Sequence, residues 1–450
     1  EIGRAQALQA QACRVSPQID FNPVLLKPQG DLTSQLIVHG KREGVVRAHD
    51  FRRLRADLLG RVLASYHRLA RQYDLVLVEG AGSPAEVNLR EGDIANMGFA
   101  RATNLPVLLV GDIDRGGVLA QITGTHLLLE PADRAHLKGY IINKFRGDRT
   151  LFAPALTVIE QQTKLEHFGI VDWFDAARLL PGEDSLALHQ GTASPDQADQ
   201  ADHGRRIAVT ILRLPHLANF DDFDALTHDP KIDLTWLEPG EALPGHCDLV
   251  IIPGSKATMA DLACIRKSGW AIDLAAHHRR GGFILGVCGG YQMLGRRIHD
   301  PHGIEGNGEV EGLGFLPVDT VMRSRKTVLR CKARFPGIKS AVSAYQIHIG
   351  QTVVNAGVHA GSIQPFAMVD DDIPDGAVHE DRRVFGTYLH GFLNERAGLE
   401  ALMRKIGSDH CASTNWGQVV ERTLDQLADQ IECDLATNRI LELAAQTVQS

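Results

Sequence analysis

The sequence is short of several things, and each shortage removes a class of protein. Seven cysteines occur in 450 residues, at 13, 247, 264, 288, 331, 411 and 433. Their number is odd and none stands at CxxC or zinc-finger spacing, which argues against a disulfide frame and a structural metal. Reduced thiols in a cytoplasm fit this usage. No apolar run approaches the roughly 18 residues of a membrane span, and no signal peptide opens the chain, so no membrane partner is expected. Positive charge is not in excess: 47 Lys and Arg against 55 Asp and Glu leave a net charge of −8. That balance gives no footprint for nucleic acid, and an acidic substrate must be held by local Lys and Arg. No Gly-x-x-x-x-Gly-Lys-Ser/Thr phosphate loop occurs, and no internal repeat. The first residue is Glu1 and a helix-like run is already under way, so a preceding segment is expected.

What is present is ordinary globular material, 44% hydrophobic and 23% charged, in a length that predicts two or three domains. In a first block, Leu75–Val78, Val107–Val110 and Gly139–Ile142 are short apolar runs bounded by turn residues, the pattern of buried parallel strands. Helical periodicity lies between them and over Phe51–Arg71, predicting a doubly wound sheet. Leu188–Arg205 is polar and without a hydrophobic period, as a linker would be. Strand patterns restart at Ile207–Ile211, Leu249–Ile252 and Gly282–Val287, so a second open α/β domain is predicted. Val328–Val354 alternates like antiparallel strands, and Val384–Leu389 gives one more strand. Leu424, Leu427, Ile431, Leu435 and Ile440 mark a helical tail. The expected division is 1–187, a linker 188–205, a second domain 206–400 and a tail 401–450.

The sharpest chemical signal is Gly286-Val-Cys-Gly-Gly-Tyr-Gln-Met-Leu294. An apolar strand ends at Val287 and a helical run begins after Cys288, the strand-turn-helix context of a nucleophile elbow with Cys in place of Ser. The glycines permit the sharp turn and clear space for a substrate, and a thiol at a helix N-terminus is biased toward thiolate. The competing explanation is a small buried strand-end residue, which is the reading for the other six cysteines; at Cys288 the glycines favour catalysis. A thiol nucleophile needs a base. His390, in Val384-Phe-Gly-Thr-Tyr-Leu-His-Gly391, follows a strand as Cys288 does, and carboxyl ends of strands are where open sheets build sites. His348 is the second candidate, with a structural role the better account. Gly254 and Ser255, after the strand Leu249–Ile252, and Gly289 are candidates for an oxyanion hole.

Three stretches in this order, Ile251-Ile-Pro-Gly-Ser255, Gly286–Gly295 and Tyr388-Leu-His-Gly391, resemble the class I glutamine amidotransferases. The resemblance implies a flavodoxin-like domain in which Cys288 attacks the glutamine amide, His390 is its base and Gln292 helps hold the glutamine. Most of that superfamily carries Glu two residues after the His. Here Phe392 stands there, which agrees with the cobyrinic acid amide synthases and leaves open what orients His390. Gln346 stands where that branch usually has Glu.

The first block resembles the same branch in Glu1–Ala12, Asn22–Pro28, Val78–Glu86, Gly111–Gly117 and Ile142–Gly147, and in the later Arg213–Asp224. Read from the residues, Glu79 is an acidic group after an apolar run, placed as a Mg²⁺ ligand beside a nucleotide would be; a turn-capping carboxylate is the alternative. Asp112 and Asp114 follow the strand Val107–Val110 in the same way. Arg115-Gly-Gly117 offers a guanidinium and amides to an anion, or is a plain turn, and Lys27 meets an anion or is a solvated lysine. The resemblance implies a dethiobiotin-synthetase-like P-loop NTPase fold whose phosphate loop lies upstream of this sequence. Asp112 and Asn143 are then nucleotide-binding and Glu79 metal-binding. The chain alone is expected to bind ATP weakly.

Together these readings describe two doubly wound α/β domains resembling the adenosylcobyric acid synthase family. The resemblance implies a carbon–nitrogen ligase that uses glutamine, ATP and Mg²⁺, with no prosthetic group. Its implied substrate is a corrinoid polycarboxylate, adenosylcobyrinic acid a,c-diamide, amidated at its b, d, e and g carboxylates in cobalamin biosynthesis. The alternatives are an amidotransferase ligase for another carboxylate, such as the a,c-diamide synthase or a cell-wall precursor amidase, and a binding homologue without turnover.

Overall fold

The computed structural model describes residues 1–30, 33–182, 205–306, 308–354, 363–370, 373–410 and 415–446. The expected linker 188–205 lies, apart from Arg205, outside the described residues. The chain divides into two compact units, Glu1–Leu180 with Glu421–Ser450, and Pro181–Val420. No helix among the described residues is long and apolar enough to cross a membrane.

The first unit opens with helix α1 (Arg4–Ala12) and an antiparallel sheet of β1 (Val24–Gly30), β2 (Thr33–Val38) and β3 (Lys41–Arg47). This sheet was not foreseen, because its strands carry Lys, Arg, Gln and Gly among the apolar residues. The long helix α2 (Ala48–Gln72) covers the expected Phe51–Arg71. A parallel sheet follows, in the order β4 (Val107–Asp112), β5 (Leu137–Phe145), β6 (Glu166–Asp172). Helices α3 (Val118–Leu128) and α4 (Arg149–Thr163) pack on it, and their Ile122 and Ile159 meet Tyr140 and Ile142 of β5 in the core. The Asp148 carboxylate caps α4 by accepting the Thr150 amide at 2.8 Å.

Two expectations need correction here. Leu75–Val78 is not a strand: a strand exists through its ladder, β4 pairs among the described residues with β5 alone, and Leu77 is 77% exposed. The parallel sheet runs in sequence order without a reversal, so among the described residues it is not doubly wound. The tail forms α9 (Trp416–Asp434) and α10 (Thr437–Ala445), whose labels continue the series below. Asp434 ties the tail to this unit by accepting the Asp172 amide and pairing with Arg149.

The second unit has a six-stranded sheet. Its order is Ala377–Val378, Val384–Thr387 (β13), Phe283–Val287 (β10), Leu249–Ile252 (β9), Ile207–Leu212 (β7), Ile232–Leu237 (β8). All pairs are parallel except that of Ala377–Val378. The chain starts at β7, steps outward to β8 and returns to the other side at β9, so the order reverses beside β7. That reversal opens a crevice at the carboxyl ends of the strands. Leu249, Val250, Ile251 and Ile252 are wholly buried, which explains why β9 reads as a continuous apolar run. Helices α5 (Thr258–Lys267), α6 (Trp270–Arg279), α7 (Gly289–Leu294) and α8 (Arg396–Lys405) complete the unit. A second sheet is built on the long hairpin β11 (Val318–Arg334) and β12 (Val342–Val354), and β12 pairs with Leu389–His390.

Candidate active site

Cys288 sits at the turn from β10 into α7 with φ 53° and ψ −107°. A non-glycine residue in that conformation stores on the order of 1–3 kcal/mol of strain, and such strain persists only where the surroundings impose it. The surroundings here are glycines. A Cβ on Gly290 would lie 1.9 Å from the Ile252 carbonyl oxygen, and one on Gly289 would lie 2.9 Å from the Ser255 nitrogen. The Cys288 amide donates to the Thr387 carbonyl at 2.8 Å, tying the elbow to the end of β13. The thiol is buried, and its Sγ–H donates to the Ile347 carbonyl of β12 at 3.5 Å.

Register brings His390 to the same place. Val287 pairs with Thr387 in the parallel sheet, so both chains leave it side by side. His390 then pairs with Tyr345 of β12, and the two rings stack with centroids 5.3 Å apart. The imidazole is wholly buried. Its Nδ1 lies 2.6 Å from Asp222 Oδ2, and the other Asp222 oxygen accepts the Gly391 amide at 2.8 Å. Asn219 Nδ2 lies 3.1 Å from Nδ1 and 3.3 Å from Nε2. Burial works against a charged ring, but the charge and hydrogen bond of Asp222, joined by Cys288, outweigh it and push the imidazole up to about 10.

Asp222 was not found from the sequence. It belongs to Asn219-Phe-Asp-Asp-Phe-Asp224, where three carboxylates stand within four residues and nothing in their order distinguishes one. The available signal was the flanking pair Phe220 and Phe223, both buried, which carry the middle carboxylate inward on a single 3₁₀ turn. Phe392, at the position expected for Glu, is a core residue packed on Phe335 and Phe366.

The other expected residues gather around this pair. Gly254 lies against the imidazole: its Cβ would sit 3.6 Å from His390 Cε1. The Ser255 hydroxyl donates to the buried Asp261 at 2.6 Å and accepts the Ala257 amide at 3.0 Å. Gln292 is engaged at both ends, its oxygen accepting from Thr258 at 3.2 Å and its nitrogen donating to the Tyr388 hydroxyl at 3.0 Å. Tyr388 continues to Thr352 at 2.6 Å. His348 stacks on Tyr388 with centroids 3.9 Å apart, and burial pushes its ring down. Gln346 donates at 2.8 Å to Asp375, which also accepts the Thr387 hydroxyl and the Tyr388 amide. Burial pushes Asp375 up to about 6 against these donors.

In the first unit, Asp112 and Asn143 pair in register at the carboxyl ends of β4 and β5. Lys144 Nζ donates to Asp112 at 2.7 Å, Arg115 lies 3.7 Å from the same oxygen, and Arg146 pairs with Asp114 at 3.3 Å. The Lys144 hydrogen bond, over a smaller effect of burial, holds Asp112 below the usual carboxylate range. Lys144, which sequence reasoning missed, reaches Asp112 from a backbone with φ 63°. Glu79 is exposed and accepts Gln9 Nε2 at 2.7 Å. Lys27 pairs with Glu1.

Comparison with known families agrees with this division. Residues 208–398 match the CobB/CobQ-like glutamine amidotransferase domain and residues 45–177 match an AAA domain. Cobyric acid synthase of Novosphingobium aromaticivorans is 49% identical over 445 residues, 99% of this chain and 87% of that protein. The Rhodobacter capsulatus protein of the same name is 49% identical over 447 residues, 99% of this chain and 89% of its own. With likeness of that depth over nearly its whole length, this chain belongs to the cobyric acid synthase family, glutamine-dependent amidating ligases of cobalamin biosynthesis.

Proposed function

We propose that Cys288, His390 and Asp222 release ammonia from glutamine, and that the first unit uses ATP to activate carboxylates of adenosylcobyrinic acid a,c-diamide for amidation at b, d, e and g. The observation that carries the first half is the buried imidazole held at Nδ1 by Asp222 while it interacts with the Cys288 thiol. The Cys288 thiol gives its proton to His390 as its sulfur attacks the side-chain carbonyl of glutamine, and amides near Gly254, Ser255 and Gly289 receive the oxyanion. The carbon–nitrogen bond breaks as His390 gives its proton to the departing ammonia, leaving a thioester. Water then attacks the thioester carbonyl while His390 takes a proton from it, and the carbon–sulfur bond breaks as His390 passes that proton to the sulfur, releasing glutamate and restoring the thiol. Gln292, committed to Thr258 and Tyr388, acts in this reading by fixing the wall behind the elbow and not by gripping glutamine directly.

In the first unit, the cations Lys144, Arg115 and Arg146 beside Asp112 and Asp114 suit the phosphate end of a nucleotide, with Asn143 beside them. Glu79 is the carboxylate that would hold Mg²⁺, which when bound would shield phosphate charge. It is exposed and fits the hard-oxygen donor type of that ion, which commonly takes one or two carboxylates and completes its shell with phosphate and water. The carboxylate becomes an acyl phosphate at the expense of ATP, and ammonia displaces phosphate to give the amide.

The test combines the full-length protein with the a,c-diamide, ATP, Mg²⁺ and glutamine, and counts new amides by mass spectrometry. Four amidations that disappear in Cys288→Ala and return with ammonium are expected. Glutaminase turnover without corrinoid amidation would keep the thiol chemistry and discard the substrate. Unchanged glutaminase in Cys288→Ala would discard the thiol chemistry.

A further inference from the structure

Away from the catalytic thiol, His278, His379 and Asp381 bring donor atoms within 4.8 Å of one another, in one group found among the described residues. His278 Nε2 lies 2.6 Å from Asp381 Oδ2, and His379 Nδ1 lies 2.8 Å from Asp381 Oδ1. Two imidazoles and a carboxylate are a frequent donor set for zinc, whose bonds of roughly 2.0–2.2 Å place ligand atoms about 3.3 Å apart in a tetrahedron. The two histidine–carboxylate spacings, 2.6 and 2.8 Å, are shorter than that value and all donor atoms lie within 4.8 Å, so an ion would enter by parting the imidazoles from the carboxylate.

The donors are held by backbone that does not depend on an ion. His278 occupies the last turn of α6, and its neighbour His277 is buried and bonded to the Phe283 carbonyl at 3.1 Å. His379 and Asp381 lie in a turn closed by the His379 amide on the Val384 carbonyl and the Arg382 amide on the His379 carbonyl, both at 2.8 Å. Asp381 also accepts the Arg383 amide at 2.9 Å, the kind of supporting bond that orients a ligating carboxylate. Phe315 packs edge-on to His278 with centroids 5.8 Å apart. The three side chains are 24%, 27% and 34% exposed, which leaves one side open to water.

The surroundings also select among ions. Arg279, Arg280, Arg382 and Arg383 adjoin the donors in sequence and disfavour a weakly bound cation. Magnesium and calcium, which want several oxygens, are poorly served by one carboxylate. Ions that prefer imidazole are served well, and the C-terminal end of α6 favours positive charge.

We propose that His278, His379 and Asp381 form a site for one imidazole-preferring divalent cation, with zinc as the principal candidate and water in the fourth position. The site would join α6 to the turn before β13, the strand that leads to His390.

The test titrates chelator-washed full chain with Zn²⁺ by calorimetry and with Co²⁺ by visible absorption. One equivalent at micromolar or tighter affinity is expected, with a visible Co²⁺ band. With 20 histidines and seven cysteines in the chain, the difference between variants decides, not total uptake. His278→Gln, His379→Gln and Asp381→Asn should each weaken binding at least about tenfold while glutaminase turnover reports an intact fold. If one variant fails to fold, the other two carry the comparison. No stoichiometric binding, or variants that bind like the parent, would overturn the proposal and leave the trio as an ion-pair cluster.

Discussion

His390 Nδ1 and Asp222 Oδ2 meet at 2.6 Å across 168 residues of sequence, and both side chains are buried. A carboxylate in that place fixes which ring nitrogen faces the thiol and stabilises the imidazolium formed during turnover. Asp222→Asn keeps the size but loses the charge and allows the wrong tautomer. Glutaminase kcat should fall by about 10²–10⁴-fold, as for related triads, with little change in KM. Ammonium-supported amidation should survive. A variant within twofold of the parent would mean that Asp222 only fills space.

The same pair sets a pH dependence of stability. His390 sits near 10 in the folded chain, above the ordinary 6.5. A raised base contributes fully below its unfolded value, and that contribution drains away as pH climbs through the folded value. The window is therefore about pH 6.5 to 10, with stability falling as pH rises. Urea unfolding at pH 7, 8.5 and 10 should show the parent losing more stability than Asp222→Asn over this range. Parallel losses in the two proteins would contradict the coupling.

The legible parts of this chain were those where neighbours in sequence are also neighbours in the site. The elbow at Cys288 was readable because β10, the thiol and its glycines are contiguous. His390 was readable because β13 runs straight into it. Asp222 was not, since its place beside His390 arises only when the turn at Phe220–Phe223 folds against a residue far along the chain. Leu75–Val78 misled for the opposite reason. Its apolar run is a strand-like sequence, but a ladder partner is a tertiary fact that no local pattern supplies. The mixed polarity of β1, β2 and β3 hid an antiparallel sheet for a related reason, since strand propensity depends on what each face packs against.

Gly290 limits how tightly the elbow can be drawn. Alanine there would place its Cβ 1.9 Å from the Ile252 carbonyl oxygen, a backbone atom in a wholly buried strand that cannot step aside. Overpacking of that kind costs roughly 1–3 kcal/mol or more. Gly290→Ala should lower the melting temperature of the second unit and abolish glutaminase, since relief requires moving Cys288. Full activity at parental stability would show that the β9 and α7 backbones can separate without consequence.

Gln346 offers the sharpest test of the polar layer behind His390. Its amide nitrogen donates to Asp375, a carboxylate already pushed up to about 6, first by burial, despite its donors. Gln346→Glu replaces that donor with a second carboxyl group a hydrogen bond away. Two such groups cannot both ionise cheaply, so the folded pair keeps a proton to higher pH than the unfolded chain, where Asp and Glu titrate near 3.9 and 4.3. Acids whose folded values are raised make stability fall as pH rises through the window between unfolded and folded values. The variant should thus resemble the parent near pH 5 and fall behind by roughly 1–3 kcal/mol at pH 8, where the pair must ionise or hold its proton at a cost. Urea unfolding of both proteins at the two pH values measures this directly. A gap that stays constant with pH would mean that the new carboxyl turns to solvent and never meets Asp375. A gap that opens would show that the new carboxyl meets Asp375 inside the fold, in the place of the Gln346 donor.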